Sequence, residues 1–252
     1  MGKTNREKAV AFLKSSETGD NEFVKKWVSE NYTPHYPSIK TGKDALLEFY
    51  DQLKDMDIKL DIRRVIVDGD YVAVHSGYTG PMVVIDIFRF EEGKIVDHWA
   101  NSQKTVKKTV SGHSMLDGPT QINDLEKTAE NKVLLKELVD DVFIGGDYDK
   151  MPSLFDDDNY IQHNPGFPDG LFGLVNGLEE MAKQGREMKF TKNYMILGEG
   201  NFVLSVSEGF FNNEHVSFFD MFRIENNKFV EHWDVIEPIK PSEDWKNQNG
   251  KF

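Results

Sequence analysis

Three ionisable side chains near the carboxyl end of the chain have the types and spacing that acid–base chemistry needs: Asp220, His232 and Asp234. They lie in residues 218–236, "FFDMFRIENNKFVEHWDVI", where apolar and polar residues alternate on both sides of a short turn. In two paired strands, such alternation gathers every second side chain on one face. Carboxyl and imidazole groups crowded among Phe residues have their proton affinities driven apart. One group can then accept a proton while another donates one.

The chain contains this stretch twice. Residues 84–102, "VIDIFRFEEGKIVDHWANS", are identical to 218–236 at eight of nineteen positions, with a constant offset of 134. The first two ionisable residues are repeated as Asp86 and His98, but Ala100 replaces the third. A repeat of this length predicts a tandem duplication. The missing acid predicts that only the second copy keeps a complete site.

The turn between the two strands decides which side chains share a face, because a slip of one residue inverts the whole pattern. In the first copy, "EEGK" suits a three-residue turn with Gly93 in the left-handed region, and Asn227 can take the same role in the second copy. That turn pairs Asp220 with His232. A two-residue turn would instead send these two side chains to opposite faces.

Each copy begins with helical periodicity and ends with alternating strands. Helices are expected over 5–16, 21–30 and 42–54 in the first copy and over 124–144, 147–155 and 171–184 in the second. Strands are expected near 58–67, 70–79, 82–90, 94–101, 188–197, 201–211, 214–225 and 228–236. This order predicts an α+β fold in which three helices cover one face of a curved antiparallel sheet.

The domain boundaries follow from the loss of periodicity between the copies. We expect a first domain over 1–103, a linker over 104–123, a second domain over 124–240 and a peripheral polar tail over 241–252.

The composition excludes several kinds of partner. A net charge of −13 argues against nucleic acid and anionic membranes, which require a basic face. The absence of Cys excludes disulfides and thiolate metal sites. No stretch approaches the ~20 apolar residues of a membrane helix, and the first twenty residues lack the apolar region of a signal peptide. A soluble, cytoplasmic protein is expected.

Three motifs carry a family resemblance: the "D-x-F-R" strand, the "K-[IF]-V-[DE]-H-W" strand and "YIQHNP" at 160–165. With the order of the elements, they resemble the SnoaL-like branch of the nuclear-transport-factor-2-like superfamily, in two tandem copies. The resemblance implies a cone-like fold with a pocket at one end. It also implies the chemistry of polyketide cyclases, which close a ring by an aldol reaction without a metal or cofactor and use an aspartate as acid and base. Asp234 is the position that matches this aspartate.

The ketosteroid isomerases of the same superfamily resemble the chain at a second aspartate. Asp86 and Asp220 fall where those enzymes keep a protonated aspartate that donates to the enolate oxygen. The isomerases' base, an aspartate before a proline, is Asn164 here and Tyr36 in the first copy. Steroid isomerisation is therefore not expected.

The resemblance and the expected strand faces together assign roles in the second copy. Asp234 is the expected base, His232 orients it or carries protons, and Asp220 or His163 donates to the carbonyl. His163 lies in a Pro- and Gly-rich loop that is expected at the pocket mouth as a lid. The residues expected to bind substrate are Tyr160, Asn164, Phe218 and Phe222. An alternative for Asp220 and His232 is that they only satisfy each other's hydrogen bonds and have no role in catalysis.

The first copy is expected to be a degenerate site that keeps His35, Asp86 and His98. Its expected role is to act as a covalently linked partner, so that the chain is an intramolecular pseudo-dimer that could form a further homo-oligomer. Trp99 and Trp233 face outward in the expected register and would suit this contact. The alternative is that each Trp packs under neighbouring loops.

The second copy's opposite face is expected to carry Arg223 and Glu231, paired near water for little energy. A metal site is not expected, because His163, His232 and Asp234 lack tight ligand spacing. The sequence therefore predicts a cofactor-independent enzyme of the aldol-cyclase or isomerase type, with a small apolar carbonyl compound as ligand. The alternative is a non-catalytic protein that binds such a compound in the same pocket.

Overall fold

The computed structural model describes residues 2–252, apart from the side chain of residue 158. The chain divides into two compact units. The first contains residues 1–104 and 239–252, and the second contains residues 105–238. None of the described helices is long and apolar enough to cross a bilayer. The cytoplasmic location stays a prediction.

The first unit is a five-stranded sheet with helices packed against it. The elements are α1 (Asn5–Ser15), α2 (Asn21–Trp27), β1 (Val28–Pro34), α3 (Lys43–Leu53), β2 (Leu60–Asp68), β3 (Tyr71–Tyr78), β4 (Met82–Glu91) and β5 (Lys94–Lys104). The sheet order is β1-β5-β4-β3-β2, in which β1 runs parallel to β5 and the other neighbours are antiparallel. Thr4 and Glu7 form a capping box that begins α1.

The second unit repeats this topology. Its elements are α4 (Thr128–Glu137), α5 (Met151–Leu154), β6 (Ile161–Gln162), α6 (Leu171–Lys183), β7 (Met188–Glu199), β8 (Phe202–Phe211), β9 (Glu214–Glu225) and β10 (Lys228–Pro238). The sheet order is β6-β10-β9-β8-β7, with β6 parallel to β10. Helix α4 continues as a π-helical segment, Leu138–Ile144. Short 3-10 helices span Leu125–Lys127, Tyr148–Lys150, Asp157–Asn159 and, in the first unit, Ser242–Asp244.

The predicted α+β fold in two tandem copies is confirmed by these two sheets. Each sheet has one strand more than expected. The predicted helix over 21–30 ends at Trp27 and continues as β1, and Ile161–Gln162 of the second copy form the short β6. Both extra strands pair with the last strand of their own sheet, so they bring the "YTPHYP" and "YIQHNP" segments beside the "HW" pair that both copies contain.

The hairpin turns differ from the expected three-residue form. In the second copy Glu225 pairs with Lys228 across a two-residue turn, with φ of 50° at Asn226 and 59° at Asn227. Such a turn matches the twist of the flanking strands, and Asn tolerates positive φ better than most residues. The first copy makes the same turn, with φ of 73° at Gly93.

A β-bulge after each turn restores the predicted face. The register shifts between Phe229 and Glu231, so Val230 is the extra residue. Beyond it, His232 pairs with Phe222 and Asp234 pairs with Asp220. The predicted pairing of Asp220 with His232 is therefore wrong, but all four side chains still share one face.

Residues 105–123 and the tail are attached to the units that contain them. Within the second unit, Val110 N donates to Pro165 O and Ser111 Oγ donates to Gln162 O. Within the first unit, Asn247 Nδ2 donates to Tyr36 O at 2.9 Å. Asn247 and Lys251 are each 6% exposed, so these two residues of the tail pack against the first unit.

Candidate active site

The second copy encloses a cavity of about 470 Å³ whose walls are mainly apolar. Helix α6 and the π-helical segment contribute to one side of it, and β9 and β10 contribute to the other. The apolar lining consists of Phe143, Tyr148, Met151, Phe155, Phe167, Leu174, Val175, Leu178, Ala182, Met188, Phe190 and Phe222. The polar lining consists of Tyr160, Gln162, Asn164, Asp220, His232 and Asp234, together with Glu179, Arg186 and Glu187. The cavity is large enough for a small organic ligand.

The structure brings Asp220, His232 and Asp234 together on this cavity. Their exposures are 3%, 8% and 4%. His232 Nε2 lies 3.2 Å from Asp220 Oδ1, and the His232 ring stacks on Phe222 with centroids 4.4 Å apart. The two carboxyl groups come from directly opposed positions of β9 and β10. Two acids and one imidazole therefore share a small, water-poor volume.

Asp234 has one bonded and one free carboxylate oxygen. Asn164 Nδ2 donates to Oδ2, and Gly166 N donates to Asn164 Oδ1 at 2.8 Å, which fixes the orientation of that amide. The buried Asp234 Oδ1 has no partner among the described residues, and neither has Asp220 Oδ2. Burial raises the pKa of Asp234 to about 6, and the charge of Asp220 adds to this rise, although His232 and Asn164 oppose it.

Two more polar side chains complete this end of the cavity. Tyr160 is 1% exposed, and burial raises the pKa of its hydroxyl well above the usual range, so Tyr160 stays a neutral donor. Gln162, which the sequence analysis missed, bonds both His232 and Tyr160. Its one signal in the sequence is its spacing of two residues from Tyr160, because alternation along an extended segment sends both side chains to the same face.

His163 does not lie at the pocket mouth, and this expectation is wrong. It follows Gln162, so alternation sends it to the opposite face of the sheet. There it is 2% exposed, its Nε2 lies 2.8 Å from Glu231 Oε1, and its ring stacks on Trp233 with centroids 4.6 Å apart. Ser114 O accepts from Nδ1 at 2.7 Å. His163 therefore cannot donate to a ligand in the cavity.

Phe218 also lies outside the cavity lining. It is fully buried and stacks on Phe190 with centroids 4.2 Å apart, so it supports a wall residue from behind. The other residues expected to bind substrate, Tyr160, Asn164 and Phe222, do line the cavity.

The expected ion pair on the opposite face forms, but not near water. Arg223 Nε lies 2.7 Å from Glu231 Oε2, and these residues are 8% and 1% exposed. Trp233 is fully buried, and its Nε1 donates to Asp117 O at 3.0 Å. Residues of the 105–123 segment therefore cover Trp233 within the second unit. The pseudo-twofold contact of Trp99 and Trp233 stays a prediction.

The first copy contains the corresponding Asp–His pair, and its polar atoms all have partners within the protein. His98 Nε2 lies 2.8 Å from Asp86 Oδ1, and the hydroxyl of Tyr32 lies 2.8 Å from His98 Nδ1. Tyr78 donates to the second oxygen of Asp86 at 3.5 Å, and the Tyr36 hydroxyl lies 3.4 Å from His98 Nδ1. His98 and Asp86 therefore have protein partners at each polar atom. No acid is present at position 100.

His35, the third residue of the expected degenerate site, lies apart from this cluster. It stacks on Trp99 with centroids 4.4 Å apart, and its Nε2 is 3.2 Å from Asp97 Oδ1. His35 thus matches His163, on the outer face of its own sheet.

Among the described residues, one group of three buried side chains has the types that can bind a metal ion. One potential ligand atom from each of Asp220, His232 and Asp234 lies within 4.8 Å of the others. The candidate set from the sequence, which included His163, is not assembled, since His163 lies on the other face.

Comparison with family models gives a match within the first copy. Residues 9–98 match the family model of the SnoaL-like domain. A search of the curated proteins finds no match.

Solved structures similar to this chain each cover about one copy of it. A putative polyketide cyclase from Bacillus cereus ATCC 10987 is 24% identical and covers 38% of this chain and 72% of its own, with a TM-score of 0.35. TsrD from Streptomyces laurentii is 19% identical and covers 40% and 92%, with a TM-score of 0.35. IdmH, a putative polyketide cyclase from Streptomyces antibioticus, is 17% identical and covers 38% and 89%, with a TM-score of 0.34.

Proposed function

We propose that this chain, a SnoaL-like protein built from two copies of one domain, is an acid–base enzyme that acts on a small apolar carbonyl compound in the second copy. The proposed reaction removes a proton beside the carbonyl without a cofactor and then forms or shifts a bond, as in an aldol cyclisation or an isomerisation. The observation that carries this proposal is the free, buried oxygen of Asp234 at the polar end of an apolar cavity.

Asp234 is the proposed base. With a pKa of about 6, it is mostly ionised at neutral pH, yet it binds a proton more strongly than an ordinary carboxylate does. Both properties favour a general base, because it must be deprotonated before the reaction and must hold the proton during it. Oδ2 is held by Asn164, so Oδ1 is the oxygen that would accept the proton.

Tyr160 and Asp220 are the proposed donors. When Asp234 takes the proton, the electron pair of the broken C–H bond moves onto the carbonyl oxygen, which becomes negative. In the contact that Gln162 Nε2 makes with Tyr160, the hydroxyl oxygen accepts, which leaves its proton for a ligand. Asp220 Oδ2 has no partner among the described residues and Asp220 lines the cavity, so Asp220 can donate to a ligand from this oxygen when the oxygen carries a proton. Such donors stabilise an oxyanion best where water is excluded.

The second half of the reaction returns the proton. In an aldol cyclisation the enolate carbon attacks a second carbonyl group of the same molecule, and the new alkoxide takes the proton from Asp234. In an isomerisation the proton returns to a different carbon. Both routes restore the starting enzyme, so no external reactant is required.

The alternative is a binding protein that holds the same compounds without turning them over. A thermal-shift screen of carbonyl compounds would first find ligands, since a ligand that binds only the folded chain raises its stability. Turnover of each hit would then be measured with wild-type protein and with Asp234→Asn. The proposal expects turnover that falls by about 10²–10⁴ in the variant while binding remains.

A matched control lies in the first copy. Asp86→Asn changes the corresponding Asp–His pair outside the proposed site and should leave turnover unchanged. Binding without turnover in the wild-type protein would favour the alternative. Turnover that survives in Asp234→Asn would reject Asp234 as the base.

A further inference from the structure

The amide of Gln162 lies between the proposed donor Tyr160 and His232, the partner of the other proposed donor, Asp220. Its Oε1 is 2.9 Å from His232 Nδ1, and its Nε2 is 3.5 Å from the hydroxyl oxygen of Tyr160. Gln162 is 1% exposed, so protein groups rather than bulk water satisfy the amide. One side chain thus contacts one donor directly and the other through His232.

The orientation of this amide is fixed by the backbone. Asn164 N donates to Gln162 Oε1 at 2.9 Å. An amide NH2 group could not accept this bond, so the oxygen must occupy the position that faces His232. An amide oxygen has no proton to give. His232 Nδ1, which faces the same oxygen, must therefore carry a proton.

The fixed proton on Nδ1 limits what the other side of the ring can do. A neutral His232 then presents a lone pair on Nε2 to Asp220 Oδ1, 3.2 Å away, and Asp220 holds the proton between them. If that proton moves to Nε2, the pair becomes an imidazolium and a carboxylate. In both forms one proton lies between the two side chains, and Nδ1 stays protonated.

The first copy lacks this device. Pro34 pairs with His98 in the same way as Gln162 pairs with His232, and proline has no side-chain amide. The hydroxyl of Tyr32 instead lies 2.8 Å from His98 Nδ1. A hydroxyl can donate or accept, so this contact does not fix the ring proton. Tyr32 is the first-copy counterpart of Tyr160, so the contact with His98 engages the hydroxyl that Tyr160 keeps away from its own histidine.

We propose that Gln162 is a positioning residue of the second copy, which holds the proton of His232 on Nδ1 and keeps the Tyr160 hydroxyl away from the ring so that it can donate to a ligand. The role of Tyr160 rests on the proposed function. The position of the ring proton does not, because it follows from protein contacts alone.

Nuclear magnetic resonance of the full chain, labelled with ¹⁵N in histidine and without any ligand, tests the ring proton. Long-range ¹H–¹⁵N correlations distinguish protonated from unprotonated ring nitrogens, and the spectrum of His232→Asn identifies the signals of His232 among the seven histidines. The expected result is a protonated Nδ1 at neutral pH. An unprotonated Nδ1 in the wild-type protein would overturn the proposal.

Gln162→Met introduces a side chain of similar length without an amide oxygen, and it tests whether Gln162 is what holds the proton on His232 Nδ1. In the variant no oxygen accepts from Nδ1, so His232 should release that proton to solvent and keep, on Nε2, the proton that it shares with Asp220. Gln121→Met is the matched control at an exposed position and should change nothing. An unchanged tautomer in Gln162→Met would reject the positioning role. Gln162→Glu keeps an acceptor oxygen and should retain the Nδ1 proton, which preserves the test if the Met variant does not fold.

A kinetic measurement separates this proposal from the proposed function. With any substrate found by the carbonyl screen, Gln162→Met should lower kcat by about tenfold or more and change KM little, because a donor is lost rather than a binding surface. An unchanged kcat would overturn the proposal that Gln162 keeps the Tyr160 hydroxyl free to donate to a ligand. If no substrate is found, the proposed function fails while the NMR result still decides the tautomer.

Discussion

The two copies contain the same buried Asp–His pair, and only one of them opens onto the cavity described above. In each copy the histidine stacks on a Phe of the neighbouring strand, with centroids 4.3 Å apart for His98 and Phe88 and 4.4 Å apart for His232 and Phe222. The pair is therefore a structural feature of the fold. What distinguishes the copies is the set of side chains around it.

Three tyrosines close the cluster of the first copy. Tyr32 and Tyr36 approach His98, and Tyr78 reaches Asp86. In the second copy Asn164 replaces Tyr36, and Gly209 occupies the ladder position of Tyr78. These smaller residues remove two hydroxyl groups and two rings from the polar end. The comparison teaches that the second copy differs from the first as much by the smaller side chains around its Asp–His pair as by the presence of Asp234.

The largest expected difference between the copies concerns their outer faces. Glu231→Ala should destabilise the second unit by about 3–5 kcal/mol, because it removes the buried carboxylate that pairs with Arg223 and His163 and leaves Arg223 only the exposed Glu225. Asp97→Ala removes the corresponding partner of Arg89, whose side chain is 34% exposed, and should cost about 1 kcal/mol or less.

Amide hydrogen exchange in β10 and in β5 measures the two effects separately, since it reports the stability of each region. Equal losses of protection in the two variants would contradict the assigned difference in burial.

The second prediction concerns a substitution that gives the second copy the tyrosine found at the corresponding position of the first copy, Tyr36. Asn164→Tyr should abolish ligand binding and lower turnover by at least ~10², because the ring fills the polar end and the donor to Asp234 is lost. Asn164→Ala is the control, since it removes the amide without filling the cavity and should keep ligand binding. Thermal shifts and turnover with the hits of the carbonyl screen measure both. Tight binding by Asn164→Tyr would show that ligands do not occupy this end.

The sequence predicted the duplication, the α+β fold and the face that carries Asp220, His232 and Asp234. Alternation decides such faces, and it was visible in both repeats. The turn length was wrong because a bulge at Val230 has no distinct sequence signal, and its extra residue compensated for the shorter turn. The expected lid residue, His163, was misplaced because a two-residue strand is too short to show a period. Gln162 was missed for the same reason.

The cavity walls were harder to predict than its polar end. Phe143 and Phe190 come from the π-helical segment and from β7, and their rings stack with centroids 4.7 Å apart. That contact joins residues distant in the chain, so no local pattern contains it. The sequence could place the acids on one face, but it could not show which residues surround them.

The third prediction concerns the loss of folding stability that follows when the buried Asp234 ionises. The pKa of Asp234 is raised from 3.8 to about 6 in the folded chain, so the folded state binds this proton more tightly than the unfolded state does. Stability should therefore fall as pH rises from about 4 to about 6, by up to about 3 kcal/mol, and stay lower above that range.

Asp234→Asn removes this penalty, so it should stabilise the second unit at pH 7 and have little such effect at pH 4. Denaturant unfolding at the two pH values measures the difference. Ala100, at the corresponding position of the first copy, has no proton to titrate, and Ala100→Ser should show no such pH dependence. A stabilisation of Asp234→Asn that is equal at both pH values would contradict the assignment.

The pH dependence of proton removal tests the central claim most directly. Exchange of the hydrogen beside the carbonyl of a bound ligand for deuterium would be followed by NMR from pH 4.5 to pH 8. If ionised Asp234 is the base, the exchange rate rises about tenfold per pH unit below its pKa of about 6 and becomes constant above it. Exchange that does not depend on pH across this range, or that persists at the wild-type rate in Asp234→Asn, would contradict the account.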